Sequence, residues 1–184
     1  AAGGGGATDI DGLSDALTNS SGTTVGLGTG ALAADDGSAN LNTALGYQAL
    51  NDATTAERNV AVGYQAMDSL TINGYNTAVG YQALGGATTG YNHVAIGYQA
   101  LLSSTTGEGH TAVGRSAGSA AGATTNNSTF VGTSAGDGAT GSYVTVVGRM
   151  AGRTAGDNAV AVGAGALGAG TAGGNTAIGR SSLD

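Results

Sequence analysis

The sequence predicts an all-β fold, a parallel β-roll or β-helix solenoid of about ten coils of 15 to 18 residues, and three observations predict it. First, the phrase N-T-A-L-G-Y-Q-A-L at 42–50 returns as N-V-A-V-G-Y-Q-A-M, N-T-A-V-G-Y-Q-A-L and H-V-A-I-G-Y-Q-A-L, with degenerate copies to the C-terminus. Second, its central glycine recurs at Gly28, Gly46, Gly63, Gly80, Gly97, Gly114, Gly132, Gly148, Gly163 and Gly179, a spacing too regular for chance and too short for a propeller blade. Third, 37 Gly with no Pro, Cys or Trp among 184 residues cannot fill a thick core, so backbone ladders must carry the fold.

The elements follow in chain order. Residues 1–22 read as a Gly-rich lead-in, in which Ile10, Leu13 and Leu17 stand at helical spacing behind Asp9, predicting a short amphipathic helix that caps the solenoid. Residues 23–184 are the repeat solenoid. Each repeat glycine is preceded by an aliphatic residue (Leu27, Leu45, Val62, Val79, Ile96, Val113, Val131, Val147, Val162, Ile178), a column expected to form the core. Two positions earlier stands Thr or Val, usually with Ala between, which reads as a strand with one bulky and one small face. After the glycine a second half-strand is expected, with loops at 51–58, 85–90 and 103–109 closing the coils. Near residue 107 the texture changes from Y-Q-A-L/M to R-S-A-G, T-S-A-G and R-M-A-G. So thin a core leaves a single rod short of apolar contact, and a homotrimer is expected, its small Ala and Gly faces meeting near a threefold axis.

Charge excludes several functions. Twelve acidic residues against five Arg and no Lys lack the basic footprint of a nucleic-acid binder. No apolar run approaches 18 residues, so no membrane insertion is expected, and no cofactor motif stands in a fitting context.

Candidate chemistry is weighed against simpler readings. Gly114–Gly118 and Gly132–Gly136 spell G-x-S-x-G around Ser116 and Ser134, but both occupy one phase of the repeat, and a nucleophile would need a partner from only His93 and His110. An enzyme is not expected. Gly163–Gly168 spells G-x-G-x-x-G without a helix to follow, a frequent accident in so Gly-rich a chain. Asp9, Asp11, Asp35, Asp36 and Asp137 supply oxygen ligands without a calcium-loop pattern and read as solvated acids. His93 and His110 hold the phase occupied by Asn42, Asn59 and Asn76, and are read as polar replacements that could stack at a trimer surface. Tyr47, Tyr64, Tyr81 and Tyr98 form an aromatic column, with Gln48, Gln65, Gln82 and Gln99 beside it; a stabilising ladder is favoured over a platform for sugar rings. An ice-ordering Thr face is not supported, because Thr43, Val60, Thr77, Val94 and Thr111 alternate.

The N-T-A-V-G-Y-Q-A-L repeats and the lead-in D-I-D-G-L-S-D-A-L at 9–17 resemble bacteriophage tail fibres over nearly the whole chain. The stretch N-A-V-A-V-G at 158–163 is similar to the head-domain repeat of trimeric autotransporter adhesins. These resemblances imply a homotrimeric β-roll fibre on a virion, joined to other tail proteins and contacting a host surface glycan. The alternative they leave open is a bacterial surface adhesin or a self-assembling extracellular filament built from the same roll.

Overall fold

A computed structural model of the chain describes residues 16–18, 24–36, 40–121, 125–169 and 173–183. Among these residues eleven three-residue strands form one sheet in sequence order: β1 (Ala16–Thr18), β2 (Val25–Leu27), β3 (Thr43–Leu45), β4 (Val60–Val62), β5 (Thr77–Val79), β6 (Val94–Ile96), β7 (Thr111–Val113), β8 (Thr129–Val131), β9 (Thr145–Val147), β10 (Val160–Val162) and β11 (Thr176–Ile178). From β2 to β11 every pair is parallel and equivalent repeat positions face each other, as in Thr43↔Val60 and Leu45↔Val62. The chain is a repeat-based parallel β-solenoid. At about 4.8 Å between strands, ten of them make a rod roughly 43 Å long.

The repeat glycine determines how closely the coils stack. Gly80 has φ of 138°, and a Cβ added there would stand 2.5 Å from the Gly97 carbonyl oxygen of the next coil. A side chain would therefore meet both a forbidden backbone conformation and the neighbouring main chain. Beyond the glycine the expected half-strand is absent. In its place the sign of φ alternates, with Gly46, Gln48 and Leu50 at 137°, 51° and 50°. Left-handed backbone costs a non-glycine residue about 1–2 kcal/mol. Inter-coil bonds offset it, Gln48 N–H donating to the Thr29 carbonyl at 2.9 Å and Leu50 N–H to the Ala66 carbonyl at 3.0 Å.

The strands face the opposite way from the expectation. The buried residue of each strand is the central one: Ala44, Ala61, Ala78, Ala95, Ala112, Phe130, Val146, Ala161 and Ala177. The aliphatic column points outward, Leu45 being 45% exposed and Ile96 40%. Two large inward columns would not fit so narrow a coil. The interior is instead filled from the turn side by Leu32, Leu50, Met67, Leu84 and Leu101, against the strand alanines. The Ala faces are thus consumed inside each chain and are not available for lateral packing, which removes the basis for Ala and Gly faces meeting at a threefold axis.

The texture change has a packing counterpart. Where the front coils carry Leu or Met, the next three carry Gly118, Gly136 and Gly152, and in the last two of these the strand centres enlarge to Phe130 and Val146, the Phe130 ring also lying against Gly118. A Cβ on Gly136 would collide with the Phe130 ring, and one on Gly152 would approach a Val146 methyl at 2.5 Å. Volume has moved from turn to strand.

The N-terminal cap also differs. Ala16 and Leu17, the end of the expected helix, lie in β1, which pairs antiparallel with β2 through Ala16↔Leu27 and Thr18↔Val25. Main-chain pairing covers that sheet edge more directly than an amphipathic helix would. Ile10 and Leu13 lie outside the described residues.

Candidate functional site

Three columns of side chains run along the rod. The first is the outward face of the parallel sheet, where a row of β-branched Thr or Val stands in front of the aliphatic column. Leu45, Val79, Ile96, Val113, Val131 and Val147 are all exposed on it. Thr77, Val94 and Thr111, two residues ahead, are half-buried by their neighbours along the ladder.

The second column begins one residue past the glycine. Tyr47, Tyr64, Tyr81 and Tyr98 stack with centroids 5.2, 5.0 and 5.2 Å apart and planes within 13° of parallel. The coil spacing is set by the strand ladder, so identical rings in register come to stacking distance without further adjustment. Beside them the amides run head to tail: Gln65 donates to Gln48 at 2.9 Å, Gln82 to Gln65 at 3.1 Å and Gln99 to Gln82 at 3.0 Å. The rings cover one another's faces and offer solvent their edges and hydroxyls, a different surface from the open aromatic platform that sugar stacking uses. The column ends where Arg115 lies 6.0 Å from the Tyr98 ring.

The third column is interior and polar. Asn42, Asn59, Asn76, His93, His110 and Ser128 are all buried one residue ahead of their strands. Each side chain accepts the backbone N–H of its successor one coil on. Asn59 N–H donates to Asn42 Oδ1 at 2.9 Å, Asn76 to Asn59 Oδ1 at 3.0 Å, and His93 to Asn76 Oδ1 at 2.9 Å. His110 N–H then donates to His93 Nδ1 at 3.1 Å, Ser128 to His110 Nδ1 at 3.2 Å, and Val144 to Ser128 Oγ at 3.1 Å. The rings of His93 and His110 stack at 5.2 Å inside the coil, where sequence reasoning had them stacking at a trimer surface. Histidine replaces asparagine here because Nδ1 presents an acceptor at nearly the reach of an amide oxygen.

The remaining candidates are dispersed. Ser116 and Ser134 occupy the left-handed glutamine position, with φ of 54° and 52°, in a column separate from the buried histidines. Asp35 and Asp36 accept from Asn40 at 2.9 and 3.5 Å, and Asp137 from Ser119 at 2.9 Å. Asp9 and Asp11 lie outside the described residues. Among the described residues no group of three or more His, Asp or Glu is placed to hold a metal ion, and no helix is long and apolar enough to cross a membrane. On the loop side polar pairs link successive coils, Arg58 donating to the Tyr75 hydroxyl at 3.1 Å and the Tyr91 hydroxyl to Glu108.

Sequence reasoning noted the shared phase of the asparagines and histidines but missed their role as an acceptor ladder. The signal was the recurrence of a polar residue directly ahead of every strand from β2 to β8. Comparison of the chain with protein-family models, with curated proteins and with solved structures finds no match.

Proposed function

We propose that this chain is a rigid, laterally associated fibre segment, the shaft or head of a phage tail fibre displayed on a virion, which supports or mediates attachment to a host cell. The observation that carries this reading is the outward aliphatic column. Three-residue strands at about 3.3 Å per residue along a rod of roughly 43 Å give an outward face of about 400 Å² in projection, made of the aliphatic column and a row of Thr and Val, comparable with the biggest patch on a typical monomer. A face of that size, continuous along the rod, fits burial against further copies of the same chain better than exposure to water. A homotrimer, the stoichiometry the sequence resemblance implies, would bring three such faces together around one axis.

Attachment would come from repetition. The edge of the tyrosine column, with its row of hydroxyls, is the surface we assign to a host glycan, each contact weak and the fibre multivalent. No reaction is assigned to the chain. A bacterial surface adhesin built on the same coils would share this lateral face. An end-to-end filament is less favoured, since antiparallel β1 occupies the edge of β2 onto which a parallel coil of another copy would add.

Native mass spectrometry across a dilution series tests the reading. A species of three times the 17.3 kDa chain mass is expected. The Ile96→Lys and Val113→Lys variants, altered only at exposed positions, should dissociate it while leaving the coil folded. A stable monomer in the unaltered protein would overturn it.

A further inference from the structure

We propose that the histidine pair is an acid-sensitive joint in an otherwise pH-tolerant rod: neutral, His93 and His110 continue the buried acceptor ladder, and protonated they break it. The argument rests on which atoms face each other. A backbone N–H is an obligatory donor, so the His110 amide at 3.1 Å from His93 Nδ1 and the Ser128 amide at 3.2 Å from His110 Nδ1 require a lone pair on both nitrogens. Both rings are therefore neutral with the proton on Nε2, which in His110 donates to the Thr125 carbonyl at 2.8 Å. An imidazolium carries protons on both nitrogens and presents a donor to a donor. The Asn42, Asn59 and Asn76 amides do the same task in the preceding coils and do not titrate.

Among the described residues only main-chain groups, at Gly107 beside His93 and at Thr125 and Ser128 beside His110, favour a positive charge, and burial outweighs them. His93 and His110 are wholly buried, and the group stacked on each is the other imidazole. Around them stand Asn76, Ser104, Thr125, Ser128 and the Phe130 ring, none ionisable, with the Phe130 centroid 6.1 Å from that of His110. Of the flanking ionisable side chains, exposed Tyr91 and half-buried Glu108 are bonded to each other. Among the described residues neither His93 Nε2 nor Ser104 Oγ makes a hydrogen bond of regular geometry, and the Gly107 main chain is what acts on the His93 ring. Burial, and then the neighbouring His110, hold His93 down at about 4, and burial lowers His110 as well.

The sign follows from linkage. Above the ordinary histidine value near 6.5 both states are neutral and the joint is intact. As pH falls below it the unfolded or opened chain takes up protons that the folded coil refuses, so stability falls until the folded value near 4 is reached. For His93 alone, the opening equilibrium at pH 4.5 should rise by roughly 60-fold over pH 7.

Hydrogen exchange on the full chain, read as protection factors at pH 7.0 and 4.5, tests this. The expected result is a selective loss of protection at the His110, Thr111 and Ser128 amides, with Asn59 and Val60 in the asparagine coils unchanged. In His93→Asn/His110→Asn the selective loss should disappear. A uniform loss along the rod, or the same selective loss in the variant, would overturn the proposal. Should the variant not fold, nitrogen NMR of the wild-type imidazoles decides: Nε2–H tautomers that resist protonation to below pH 5 support the joint, and Nδ1–H tautomers or ordinary titration near 6.5 refute it.

Discussion

The coils from Gly46 to Gly97 and those of Gly132 and Gly148 share one backbone and fill it in opposite ways. In the front set the strand contributes Ala and the turn contributes Leu or Met, as in Ala78 with Leu84. In the rear set the turn contributes Gly and the strand contributes the bulk, as in Phe130 with Gly136 and Val146 with Gly152. The tyrosine and glutamine ladders belong to the front set alone; behind it Arg or Thr stands in place of tyrosine and Ser or Met in place of glutamine. A solenoid interior of this width thus specifies a volume per coil and leaves open which wall supplies it. Surface texture can then change along the rod without changing its cross-section.

A double-mutant cycle breaks this comparison most severely. Phe130→Ala leaves a hole flanked by two glycines and should cost about 3–5 kcal/mol. Gly136→Leu alone places a side chain in the Phe130 ring and should cost about 3 kcal/mol or more. Together they recreate the front arrangement, since Gly136 has φ of 63° where Leu84 holds 54°. Denaturant titration should give a double variant at least about 2 kcal/mol more stable than the summed singles. Strict additivity would mean that the two walls are not exchanging volume.

Substituting the repeat glycine tests what the two sets have in common. Gly80→Ala should lose about 3 kcal/mol, from a backbone conformation closed to alanine and a clash with the Gly97 carbonyl. Gly132→Ala in the rear set, with φ of 130°, should lose a similar amount. A smaller effect is expected where only the front set has a feature. Gln82→Ala removes two ladder bonds at a half-buried position and should lower stability by about 1 kcal/mol, seen as a modest fall in Tm.

The smallest effect concerns Asp68, whose carboxyl is pushed upward by burial and by neighbouring Asp52. A carboxyl raised in the folded state contributes stability only while protonated, so at pH 7 it opposes folding. Asp68→Asn, matching Asn51 of the preceding coil, should raise stability slightly at pH 7, and this gain should vanish as pH falls through the carboxylate range.

The sequence by itself determined the period, the glycine column and the in-register parallel stacking. Each is a translation of the repeat: equivalent residues that recur every 15 to 18 positions can be superposed only by stacking whole coils. It also carried the tyrosine and glutamine columns, because stacking in register brings identical side chains together whatever the coil's shape. Tertiary structure alone decided which face of the strand turned inward. In Thr43–Leu45 the alternation has the same period with Ala44 inside or outside, and three residues are too few for hydrophobicity to fix the sign against the width of the coil. That width admits one large residue per coil beside an alanine, and the turns had already supplied it through Leu50 in the left-handed conformation, a placement that leucine's own preferences argue against. The same enclosure made acceptors of the buried asparagines and histidines, since an interior without water must satisfy every backbone N–H from within.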